Sequence, residues 1–446
     1  MLRQPNDFRF PPMTDPKNDS QKSSDRDLGS KEAGSKTPWI VLAIPLLLVI
    51  VILFLSPNFQ SDPGMRIGPM GGDFLQEWIG ATMFNQGMEE QLYDLPFVQR
   101  LQHDVELVGF LWPEEDYFPM VYPPFYYAAL RPLSGFSYPV ASKVWAICSA
   151  FAFSLSGWLL YRFYPPCQRV FGICFVSALI FVPLLSCFTM GQKSTFLLLI
   201  LSGSFVLMRH GKPFLAGLVF GLIVFKPHLG IVIGLTMLLK RQWKFALGAL
   251  AVVGCALGYS WFNHRQLLRD YIDLVTGMGD YIQTGGYQLA DSHSLWGATQ
   301  LTFGWLPGYA VNFLTGVFSV AVVVLLWRIM RGRFQSDSPG FARQYAAMIL
   351  ATVMLSPHFY GYDLTLLLLP MILLVSSCPP GQWKSVPIEL CLGLVLLAMF
   401  VLAGLFQQIA QVTHVQLSVL LMTAALVLVG LRRPVDDAQL RSSSEG

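Results

Sequence analysis

The chain has 446 residues, 54% hydrophobic and only 13% charged, with a mean hydropathy of +0.51 and a formal net charge of +3. A soluble domain carries roughly 25% charged residues, so there is too little charge here to cover a solvated globule, and the small net charge gives no sign of nucleic-acid binding. The apolar residues come in blocks, such as Trp39 to Leu55 and Phe196 to Leu207. Backbone groups in lipid must be satisfied within their own segment, so the expected class is an all-α, polytopic transmembrane helix bundle.

In chain order, residues 1–38 are rich in Ser, Asp, Lys and Pro and are expected to be a disordered cytoplasmic tail. The first apolar run starts late, lacks an obvious cleavage site and reads as an anchor helix over 39–55. Residues 57–137 form an outer loop of mixed polarity. Its amphipathic pieces, Phe74 to Phe84 and Pro96 to Val108, are expected to lie on the membrane surface as juxtamembrane helices. Helices follow over 138–161, 170–190 and 195–208.

Residues 213–239 are irregular, with basic residues on both flanks (Arg209 and Lys212, then Lys240 and Arg241) and Lys226-Pro227-His228 in the middle. Proline breaks helical hydrogen bonding. Either two short helices form a hairpin with Lys226 at its tip, or one long kinked helix spoils the charge parity. Further helices are expected over 245–262, 306–328, 341–356, 362–376, 386–405 and 413–431, with a second outer loop at 263–305. That gives about twelve crossings in a domain over 39–433, followed by a cytoplasmic tail at 434–446. Lys and Arg cluster in alternate gaps, which puts those gaps and both termini in the cytoplasm. None of the seven cysteines falls in an outer loop, and none has a metal-ligand spacing.

Candidate functional residues gather at the outer helix ends. Asp73 and Glu77 are four apart, on one face of any helix that starts there, although a carboxylate at a helix start also complements the dipole. Tyr122, in Val121-Tyr122-Pro123-Pro124, sits where aromatic residues also mark the membrane interface. Gln192 and Lys193 occupy an outer turn, where a lysine can equally snorkel. Lys226 and His228 interrupt an apolar run, and His358 and Asp363 lie in Ser356-Pro357-His358-Phe359-Tyr360-Gly361-Tyr362-Asp363. Ionisable groups at membrane depth point to function; Asp363 reads either as part of the site or as a structural counter-ion to Lys226. One carboxylate among several cations suits an anionic, lipid-linked substrate, and no Gly-rich nucleotide loop is present.

These stretches resemble glycosyltransferase family 87. The matching pieces are Gly72-Asp73-Phe74, Leu92-Tyr93-Asp94, Tyr122-Pro123-Pro124-Phe125, Met190-Gly191-Gln192, Ala216-Gly217-Leu218, Phe225-Lys226-Pro227-His228, Leu355-Ser356-Pro357-His358 and Tyr362-Asp363-Leu364. The resemblance implies a GT-C fold and a bacterial cytoplasmic-membrane enzyme. It would move mannose from a polyprenyl-phosphate donor to a lipid or glycan acceptor on the non-cytoplasmic face, with inversion. It implies Asp73 as general base. Lys226 and His358, with Lys193 or His228, would stabilise the leaving phosphate, and Glu77, Tyr122, Gln192 and Asp363 would complete the substrate site. Paired adjacent acids are absent because Phe74 follows Asp73, so no metal or other cofactor is expected. A secondary transporter or flippase, a lipid-linked glycan ligase or polymerase, and a non-catalytic assembly protein remain as alternatives.

Overall fold

The structure, a computed structural model, describes residues 38–55, 72–110, 117–284, 288–332, 334–338, 340–378 and 387–431. The expected tails at 1–38 and 434–446 lie outside these residues, Pro38 excepted. The chain divides after Trp39; of the first unit only Pro38 and Trp39 are described, and the second unit, Ile40–Gly446, holds the fold. The described residues are helical, with no strand and one isolated bridge between Ser292 and Tyr360.

The first apolar run is α1 (Pro38–Leu55). The first loop then holds α2 (Leu75–Gln86), α3 (Leu95–Gln102), α4 (Val105–Val108) and α5 (Pro124–Ala129). Asp94 and Asp104 cap α3 and α4, accepting from Phe97 N and from Glu106 N and Leu107 N. α2 differs from the surface helix expected there, since every residue from Leu75 to Phe84 is buried. Gly80 lets the Tyr127 ring lie directly on the helix, and Phe74, Trp78, Tyr126, Tyr138 and Trp145 close a separate apolar core around it.

α6 (Tyr138–Phe163) follows, then a short α7 (Pro165–Gln168). The single helix expected over 170–190 is two, α8 (Phe171–Leu179) and α9 (Val182–Met190), bent by 51°. Pro183 lies in the first turn of α9, where its missing N–H is tolerated, and Phe181 before it is extended.

α10 (Ser194–Arg209) leads into α11 (Pro213–Gly221), two 3-10 turns around Lys226, α12 (Ile231–Leu239) and α13 (Trp243–Asn263). Gly217 packs on the Phe245 carbonyl and Ala249, Gly221 on Ala249 and Val252, and Gly248 on Phe214 and Leu218. Residue numbers rise together along both helices, so α11 and α13 run parallel. The chain must therefore return between them, and α12 carries it back, with Gly230 against Ile223 and Gly234 against the Phe220 ring. The irregular segment is thus a hairpin with Lys226 at its tip.

The remainder comprises α14 (Arg265–Thr284), α15 (Leu295–Phe303), α16 (Gly308–Ile329), α17 (Gly340–Leu355), a 3-10 turn over Gly361–Leu367, α18 (Leu368–Ser376), α19 (Pro387–Leu402), α20 (Phe406–Thr413) and α21 (Leu417–Leu431). By length and composition, α6, α13 and α16 can cross a membrane, and so can α8 with α9 and α19 with α20 if each bent pair is one span. Shorter apolar stretches of 10–17 residues lie at Ser194–Arg209, Pro213–Phe225, Gly340–Leu355, Gly361–Ser376 and Leu417–Leu431. These apolar helices fit a membrane protein.

The two ends of the bundle differ. At one, Arg209 donates to the Ser336 and Ser338 carbonyls (3.2 and 2.6 Å) and Lys240 to the Gly332 carbonyl (3.3 Å). Both flanks of the hairpin therefore share an end, as the charge parity required. Exposed aromatics ring both ends: Trp243 and Trp327 at the basic one, Trp261 and Tyr309 at the other. On α13 and on α16 the paired rings are eighteen positions apart, about 27 Å at 1.5 Å per residue.

The α11–α13 contact is backbone on backbone, so Gly217→Leu is expected to destabilise by more than the roughly 1–3 kcal/mol of ordinary overpacking. Gly254→Ala on α13, where a new methyl meets nothing within 4 Å, should be neutral or stabilising by up to about 1 kcal/mol. Thermal unfolding in one detergent compares them. Equal melting temperatures for both variants would refute the close parallel packing.

Candidate functional site

A 3-10 turn over Gly72–Phe74 feeds α2, placing Asp73 just before the helix and Glu77 one turn along it. Facing them is the turn that ends α9. Gly191 there takes φ +72°, a left-handed conformation suited to glycine, and its carbonyl accepts from Trp145 Nε1 at 2.7 Å. The turn presents consecutive residues to one helical face: Gln192 Nε2 donates to Asp73 Oδ2, and Lys193 Nζ pairs with Glu77 Oε1. Glu77 and Lys193 are fully buried, whereas Asp73 is half-buried.

The hairpin tip supplies the second ion pair. Lys226 Nζ lies 3.1 and 3.3 Å from the two Asp363 oxygens, and Ser194 Oγ donates to Asp363 Oδ1 at 2.6 Å. Aromatic faces flank both ammonium groups, Tyr122 at 4.5 Å from Lys193 and Tyr362 at 5.7 Å from Lys226. Tyr122 is fixed by its backbone, its carbonyl accepting from Tyr93 OH at 2.7 Å. The His228 and His358 rings stand 6.3 Å apart beside Lys226. The site lies at the end of the bundle opposite Arg209 and Lys240. Asp73, Glu77, Tyr122, Gln192, Lys193, Lys226, His228, His358 and Asp363 thus occupy one neighbourhood.

Residues 120–357, over half of the chain, match the sequence model of glycosyltransferase family 87. The chain belongs to that family. No characterised protein sequence and no solved structure is significantly similar to it. The matched residues of this family 87 glycosyltransferase include Tyr122, Gln192, Lys193, Lys226 and His228. Asp73 and Glu77 precede them, and His358 and Asp363 follow.

The geometry pairs both lysines. Asp363 is the counter-ion to Lys226 that the sequence offered as one of its two readings, and Lys193, for which the sequence named no partner, is buried against Glu77; an unpaired ammonium at that depth would cost several kcal/mol. Among the described residues, Asp73 is the site carboxylate with no ion pair to a lysine. Among the described residues no three of His, Cys, Asp and Glu gather as a metal would need.

The sequence also hid some neighbours of the candidate site. Ser194 carried no signal beyond adjacency to Lys193. His293, in the segment 263–305, is buried, with Nδ1 2.8 Å from Ser418 Oγ, Nε2 3.5 Å from Asp291, and its backbone N–H donating to the Phe359 carbonyl at 2.8 Å. It ties that segment to the His358 turn, and no motif announces it.

Asp73 lies outside the spanning helices. Burial pushes its carboxyl above the ordinary aspartate value of about 3.9, opposed by the Gln192 hydrogen bond and the charges of Lys193 and Lys226. A base works only when deprotonated, so, with Asp73 as the base that the family resemblance implies, the acid limb of kcat/KM should fall with an apparent pKa above that value. Gln192→Leu removes a contact that favours the carboxylate, and should move the limb to higher pH. A limb that stays put in this variant would dissociate it from Asp73.

Proposed function

We propose that the protein transfers a hexose, specifically mannose, from polyprenyl phosphate to a hydroxyl of a lipid or glycan acceptor, with inversion, on the non-cytoplasmic face of a bacterial cytoplasmic membrane. The observation that carries this is Asp73, a half-buried carboxylate with no ion-pair partner among the described residues, set beside Lys193 and Lys226. In one displacement the acceptor oxygen bonds to the anomeric carbon, its proton passes to Asp73, and the bond from that carbon to the phosphate oxygen breaks. The leaving phosphate takes the electron pair. Lys226 directs two of its three N–H groups at Asp363, which leaves the third for a phosphate oxygen. Asp363 and Glu77 hold the two ammonium groups in place. The outer-face placement rests on the positive-inside rule, with the basic cluster of Arg209 and Lys240 at the opposite end; both termini are then cytoplasmic.

Purified protein in lipid nanodiscs, given a panel of polyprenyl-phosphate hexoses with alkyl hexosides as acceptors, is expected to release polyprenyl phosphate and form a new glycoside. Polyprenyl-phosphate mannose should be the best donor. Failure with every donor would overturn the proposal, and a better turnover with another hexose would overturn mannose alone.

A further inference from the structure

Around Asp73 three buried oxygens have no hydrogen-bond donor among the described residues: Gln76 Oε1, Glu77 Oε2 and Gln192 Oε1. In each side chain the other polar atom is engaged. Gln76 Nε2 reaches the Asp73 carbonyl at 3.5 Å, Glu77 Oε1 holds Lys193, and Gln192 Nε2 holds the Asp73 carboxylate. All three side chains are more than nine-tenths buried. They lie within one turn of α2 and on the turn that faces it. A buried acceptor left without a donor costs free energy, and each such group in a native fold calls for an explanation.

The three share a chemical requirement, because each needs a hydrogen to be brought to it. An ionised phosphate or carboxylate brings only acceptors and would be repelled. A cation would bring donors but meets the Lys193 ammonium, held on Glu77, at the same place. A ring bearing several neutral hydroxyls satisfies both conditions.

We infer that Gln76, Glu77 and Gln192 form a hydroxyl-recognition subsite for a sugar ring, separate from the Lys226 side of the site where the phosphate would sit. This deepens the glycosyltransferase reading and rests on it. Two rings could supply the hydroxyls, that of the donor hexose or that of the acceptor. Both offer the same chemistry.

The test is a cycle between ligand hydroxyls and protein oxygens. Polyprenyl-phosphate hexoses lacking one ring hydroxyl at a time are turned over by the intact protein and by Gln76→Met, which keeps side-chain length while removing the acceptor. The same series is run with deoxygenated octyl hexosides as acceptors. At one or more ring positions, deoxygenation should lower kcat/KM about tenfold or more in the intact protein. In Gln76→Met that penalty should shrink to about twofold or less. The ligand series in which it shrinks identifies the ring held. Gln192→Met serves as the second variant, read by the same ratio rather than by absolute rate because it also touches Asp73. Because the comparison is between ligands within one protein, a partly unfolded variant leaves the ratio intact. Turnover of the parent substrates with deoxygenation penalties that stay undiminished in both variants would overturn the subsite and spare the glycosyltransferase reading. No turnover of any parent donor would overturn that reading, and the subsite with it.

Discussion

Asp73→Asn is expected to lower transfer at least about 100-fold while the affinity for polyprenyl phosphate stays within about twofold. A positioned base contributes roughly 100- to 10,000-fold, equivalent to about 3–5 kcal/mol of barrier. Asparagine keeps the shape and an oxygen for Gln192 Nε2, so the α2–α9 contact survives and the loss belongs to the proton acceptor. The charge removed is one that no lysine among the described residues pairs with, so folding should be little affected. Single-turnover transfer and lipid binding, measured on one preparation, separate the effects. Transfer within about threefold of the parent would remove Asp73 from the reaction.

The ion pair at the hairpin tip should show the largest stability effects. Lys226→Met leaves Asp363 buried with Ser194 as its remaining side-chain donor, and Asp363→Leu leaves the ammonium against the Tyr362 face. Each is expected to cost about 3–5 kcal/mol, the usual result of stranding a buried charge. The double variant Lys226→Met/Asp363→Leu strands nothing and should recover more than half of the summed loss. The coupling is measured by denaturant unfolding in micelles of one composition. Strict additivity would show that the two charges do not depend on one another. Transfer should be lost in all three, because a recovered fold does not restore the ammonium.

Much of the helical scaffold was legible because long apolar runs end in charge or in turn residues. The helices expected over 138–161, 245–262 and 306–328 are Tyr138–Phe163, Trp243–Asn263 and Gly308–Ile329. The hairpin was legible for a different reason: matched basic flanks and Pro227 conflict with one straight crossing. The bends were not. Pro183 sits where a helix tolerates it, and the 89° turn between α19 and α20 comes at Ala403-Gly404-Leu405 without a proline, with Gly404 lying against Val182. The burial of α2 was invisible too, since a local pattern cannot tell a lipid surface from a second protein core.

The site residues were named one by one, but their pairing was beyond any local rule. Glu77 and Lys193 are 116 positions apart, and Lys226 and Asp363 are 137 apart. α10, which packs on both α11 and the 3-10 turn over Gly361–Leu367, lies between the hairpin and the turn that carries Asp363. The orphaned oxygens of Gln76 and Gln192 likewise emerge only once their amide nitrogens are seen to be engaged.

The aromatic rings on α13 and α16 set a physical scale for the host bilayer. Hydrocarbon thicker than their separation of about 27 Å would have to thin around this protein, or force its helices upright. Reconstitution in lipids of increasing chain length should therefore show a thickness optimum, with activity falling on the long-chain side as the strain reaches the hairpin that carries Lys226.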